Sequence, residues 1–121
     1  MKNTLVMFVV VLLTGGLAWA DGEVNPRGLT WDHNTESDLA GYLLYKATAS
    51  GEQELDGVSF AVSVPAGTNT WMFPAELVDG VFYWVVSARD IAGNESGPSN
   101  EVYVEFNTTP PAPPTGCSVI P

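Results

Sequence analysis

Six oxygen-bearing side chains fall in two short polar runs, Asp32, Glu36 and Asp38 in the first and Asp90, Asn94 and Glu95 in the second. Carboxylate and amide oxygens are the hard ligands that calcium takes, so two such runs meeting at one pole of a fold could hold that cation. The spacing lacks the fixed Gly and closing Glu of an EF-hand loop, and Asp and Asn equally serve to begin turns. His33, the single imidazole, lies inside the first run. A hydrolytic triad would need a nucleophile and an orienting acid held against it, and no such partners are evident, so catalysis is not expected. Trp31, Trp71 and Trp84 could in principle form a flat platform on which sugar rings stack. Cys117 is the single cysteine. It can make no internal disulfide and no zinc ribbon, and can pair only with a second chain or a small thiol.

The elements that must position these groups begin after a leader. Residues 1–20 carry Lys2, an apolar stretch from Leu5 to Leu13 and small residues at Ala18 and Ala20, the pattern of a cleavable signal peptide. Export is the expectation, with processing before Asp21 and no membrane span thereafter. The processed chain keeps Arg27, Lys46 and Arg89 as its bases against all 14 acids, one unit more negative than the full chain's −10. Such a charge disfavours nucleic acid or an anionic membrane as partner, since both demand clustered Lys and Arg.

From there the apolar residues recur with a period of two, in short runs divided by Gly, Pro, Asn and Asp. Leu29 and Trp31 share a face, as do Tyr42 and Leu44. Val58 to Val64 alternates without a break. Trp71 and Phe73 precede Pro74, and Asp79-Gly80 turns the chain into a run whose inward side is Phe82, Trp84, Val86 and Ala88. Val102, Val104 and Phe106 close the series. With a lead-in at Val24 to Pro26, the count is about seven strands, the signature of an all-β sandwich about one domain in size. By this parity Trp31, Trp71 and Trp84 are core residues, with Leu77 beside them. Residues 107–121 are rich in proline (Pro110, Pro111, Pro113, Pro114) and read as an extended flexible tail after a 21–106 domain.

The residues that carry these strands resemble a known family. Leu29-Thr30-Trp31-Asp32, Ser37-Asp38-Leu39-Ala40-Gly41-Tyr42, the long run from Leu77 to Ser96 and Ser99-Asn100-Glu101-Val102 are similar to fibronectin type III-like domains of bacterial and phage surface or secreted proteins. The resemblance implies a seven-stranded immunoglobulin-like sandwich over roughly residues 25–106. The family usually places Tyr where Phe82 stands, its hydroxyl closing a corner onto backbone. Either packing holds that corner here, or a shift of one residue lets Tyr83 serve. Parity with Trp84, Val86 and Ala88 favours packing by Phe82.

The function expected is a secreted, cofactor-free, non-catalytic binding or spacer module whose ligand is a protein or a polysaccharide. Two other readings stand beside it. The chain could be a structural subunit in which the tail or an edge strand links neighbours, or an accessory to a neighbouring secreted enzyme. Cys117 adds a route to a disulfide dimer.

Overall fold

The computed structural model describes residues 9–12, 22–74 and 78–121. Among the described residues the chain forms strands and no helix, in the order β1 (Val9–Leu12), β2 (Gly22–Val24), β3 (Gly28–Trp31), β4 (Leu39–Ala47), β5 (Val62–Pro65), β6 (Thr70–Met72), β7 (Gly80–Asp90) and β8 (Val102–Phe106). They build two sheets, β1-β3-β6 and β2-β8-β7-β4-β5. Neighbours are antiparallel except β2 and β8, which run parallel. The described count exceeds the expected seven because Val9–Leu12, inside the expected leader, pairs with β3. The remainder of residues 1–20, with the expected cleavage site at Ala18 to Ala20, lies outside the described residues, and so does Leu77.

Alternation builds the core. Leu29 and Trp31 from β3, Tyr42 and Leu44 from β4, Trp84, Val86 and Ala88 from β7, and Val102, Val104 and Phe106 from β8 are buried in one cluster between the sheets. Trp71, Phe73 and Phe82 are half-buried against it. Each large apolar side chain so buried contributes about 1.5–3 kcal/mol of transfer free energy. The Trp31 and Tyr42 rings meet edge to face, 5.3 Å between centroids and 64° between planes. The sheet of β4 and β5 closes tightly at Gly41, where a Cβ would stand 2.4 Å from the Val64 carbonyl oxygen.

Two expected elements form differently. The strand expected over Val58 to Val64 begins only at Val62. Upstream, the Asp56 carboxylate accepts the Val58 and Ser59 N–H groups at 2.9 and 2.6 Å and the Ser59 hydroxyl at 2.6 Å. A side chain that captures the amides of the next residues offers the backbone a turn in place of a ladder. The lead-in strand ends at Val24, before Asn25, which takes φ 50°. Asparagine tolerates that left-handed conformation better than other side chains do.

Candidate functional site

The five-stranded sheet contributes Lys46, Val62, Phe82, Trp84 and Phe106 to the wall of a groove of about 500 Å³, and the opposing sheet contributes Trp71 with Phe73 just beyond it. Strand parity explains the convergence. Positions 82, 84 and 106 point inward from β7 and β8, and 71 and 73 point back from the facing layer. Phe73 lies edge-on to Phe106 at 5.1 Å and to Trp71 at 5.4 Å, and the Trp71 and Trp84 rings are 5.5 Å apart. Over this aromatic wall stands one of the chain's 4 Lys and Arg cations. Lys46 Nζ is 5.3 Å from the Phe82 centroid and 6.0 Å from that of Trp84. Such a cation–π contact is worth about 0.5–1 kcal/mol at an exposed position. The buried Trp84 indole N–H, by contrast, has no hydrogen-bond acceptor among the described residues.

Trp31 and Trp84 are only 2% and 4% exposed. A sugar-stacking platform needs an open ring face, which neither offers. Phe82 faces the groove, with its ring 6.1 Å from Phe106, whereas Tyr83 is on the outer side of the sheet with its ring 5.8 Å from that of Tyr103.

The acidic pole is arranged otherwise than a calcium site requires. The two runs do meet, for the Ile91 N–H donates to the Asp38 carbonyl at 2.8 Å. Asp90, however, is buried and engaged with its own turn. Its carboxylate accepts the Asn94 backbone N–H at 2.8 Å and the Asn94 side-chain amide at 3.1 Å. Glu95 points away to the outer face of the five-stranded sheet, where its Oε2 accepts the Tyr45 hydroxyl at 2.6 Å and the Ser87 hydroxyl. Asp32 and His33 are exposed, and Glu36 and Asp38 are half-buried. Among the described residues no three His, Cys, Asp or Glu side chains gather. Of the second run, Asp90 and Asn94 thus close a turn and Glu95 serves the outer face.

Sequence reasoning missed a second cluster on that outer face. Leu43, Tyr45 and Val85 are buried there beneath Leu55 and Phe60 of the segment that joins β4 to β5. Polar bonds fasten this strap. The Tyr45 hydroxyl accepts the Gly57 N–H at 3.0 Å while donating to Glu95, and Glu101 accepts the Ser50 hydroxyl, the Gly51 N–H and the Gln53 amide. Burial, reinforced by the bond to Glu95, pushes the Tyr45 phenol up to about 12. Burial alone would raise Glu101, but its three donors together outweigh it and hold the carboxyl below the usual range. The signal lay in Tyr42-Leu43-Leu44-Tyr45, a continuous apolar run rather than an alternating one, which marks a strand covered on both faces.

Neither a protein-family model nor a curated protein matches the sequence. Eight chains of known structure match it in fold. One is an Fn3-like protein from Clostridium thermocellum, at 19% identity and a TM-score of 0.49, over 69% of this chain and 78% of that one. A second is the Clostridium perfringens spore cortex lytic enzyme SleM, at 16% identity and a TM-score of 0.52, over 85% of this chain and 28% of that one. A third is the extracellular domain of BT4673 from B. thetaiotaomicron, at 8% identity and a TM-score of 0.52, over 88% of this chain and 16% of that one. The chain spans a minor part of the last two. At these identities the likeness is one of fold, and in the last two it is to part of a larger molecule.

Proposed function

We propose that the chain is an exported, non-catalytic accessory module of the fibronectin type III kind that binds a protein partner through the aromatic groove. The observation that carries this reading is the groove's chemistry. Its wall is apolar and aromatic, its rim holds the Lys46 ammonium, and a buried indole N–H in its lining lacks an acceptor among the described residues. Few convergent polar groups in a largely apolar concavity are what a ligand site presents. The matching ligand is an aliphatic or aromatic side chain next to a carboxylate, in other words a short acidic-apolar peptide segment. A polysaccharide fits less well, since Trp31 and Trp84 are buried and Trp71, half-buried in the groove wall, makes no flat platform alone.

The test is a tryptophan-fluorescence titration of the processed protein with acetylated tripeptides that pair one apolar and one acidic residue, and in parallel with chitohexaose and cellohexaose. A response to the peptides that weakens about three-fold in Lys46→Ala supports the reading, as expected for loss of one solvent-exposed charge pair. A response to a hexasaccharide alone would establish the polysaccharide alternative. No response to either class would leave the spacer role as the better description.

A further inference from the structure

The outer edge of β3 is a strand-accepting site that the chain itself covers with a segment expected to be removed. In an antiparallel sheet successive residues send their N–H and C=O to opposite neighbours. On β3 the odd positions face β6: the Phe73 N–H donates to the Arg27 carbonyl at 2.9 Å, and the Trp31 N–H donates to the Asn69 carbonyl at 3.1 Å. Gly28 and Thr30 therefore direct their backbone groups the other way, toward Leu12 and Val10, their register partners on β1. Position 28 is also held close, since a Cβ there would stand 2.4 Å from the Trp71 carbonyl oxygen. Processing before Asp21 removes Val9–Leu12 and bares this edge. An unpaired strand edge beside a buried core is a template for an incoming strand.

The leader shows what the edge takes: a short, extended, antiparallel run of aliphatic residues, Val9-Val10-Val11-Leu12. The segment of the processed chain with that chemistry lies in the tail. Val119 and Ile120 are 89% and 93% exposed, the most exposed large apolar side chains among the described residues. Between them and the sandwich, Pro110 to Thr115 is a polyproline spacer that extends at ~3.1 Å per residue and carries the segment away from its own domain. We propose that the Cys117–Ile120 segment of one processed copy adds to the β3 edge of a second, in place of the leader strand. The contact is head-to-tail, so it propagates from copy to copy rather than closing into a two-fold dimer.

The proposal rests on leader removal and is independent of the aromatic groove. Its test uses the exported protein under reducing conditions, with its start established by intact mass, and reads association by light scattering and amide exchange at Gly28 and Thr30. Concentration-dependent association with both amides protected is expected. Val119→Asp/Ile120→Asp, changes far from the core, should weaken association about ten-fold or more, and a synthetic peptide of residues 115–121 should compete with it. A chain that retains Val9–Leu12, a monomer whose edge amides exchange freely, a monomer whose own tail protects them, or association indifferent to the double substitution would each overturn the proposal.

Discussion

Tyr45 shows how much one hydroxyl can organise. It donates to Glu95 and accepts from Gly57, so it joins β4, the turn after β7 and the strap. Tyr45→Phe should cost about 1 kcal/mol or more by denaturant unfolding, because the Gly57 amide and the Glu95 carboxylate lose a shared partner. The pH dependence has a definite sign. The folded phenol, at about 12, lies above its ordinary 10.0, so the neutral form is the stabilised one. Its contribution is complete below pH 10 and is lost as the pH rises toward 12 and beyond. The alkaline decline should be shallower in Tyr45→Phe. On the opposite face, Trp84→Ala should cost about 3–5 kcal/mol, since truncation leaves a cavity among Trp71, Phe73 and Val86. Tyr83→Phe keeps the ring against Tyr103 and should change stability by less than about 0.5 kcal/mol. A larger loss would show that the Tyr83 hydroxyl holds the corner.

At the scale of elements, the strands carrying the core were legible because Leu29/Trp31, Phe82/Trp84/Val86 and Val102/Val104 alternate cleanly against polar neighbours. The strap was not, because Leu55 stands alone among polar residues and Phe60 falls in an alternating run that reads as a strand, and their burial depends on the face of a strand far away in sequence. The oxygen-bearing residues of the two polar runs are parted for a related reason. Sequence places Asp90 and Glu95 in one run, but strand pairing sends one carboxylate into its own turn and the other to the outer face. The tail, too, begins later than composition suggests. The Thr108 N–H and the Thr108 and Thr109 hydroxyls donate to Asp79, which these bonds hold below its ordinary 3.8. Deleting residues 110–121 should therefore leave the melting temperature unchanged, whereas deletion from Asn107 should lower it. A depressed carboxyl stabilises above its ordinary value and loses that contribution as the pH falls through its lower folded one. The melting-temperature gap between wild type and Asp79→Asn should accordingly be widest near neutrality and close as the pH falls below the ordinary carboxylate range.

For the whole molecule, strong acidity favours solubility and sets any self-association against long-range repulsion, so added salt should promote contacts between copies. One arrangement has a mechanical meaning. β2 and β8, near the two ends of the domain, run parallel. The ladder continues past β2: the Asn25 N–H donates to the Glu105 carbonyl at 2.7 Å, and the Asn25 side chain both donates to the Asn107 carbonyl and accepts its N–H. In parallel strands the start of one and the end of the other lie at opposite poles. Tension applied between residues 22 and 109 therefore pulls along the ladder and loads its bonds together, in shear, instead of peeling them one at a time. A domain strung between two anchors would resist extension at this seam first. In single-molecule stretching, Asn25→Gly, which keeps the backbone angle and deletes the clamp, should lower the rupture force, while a substitution at exposed Val58 should leave it unchanged.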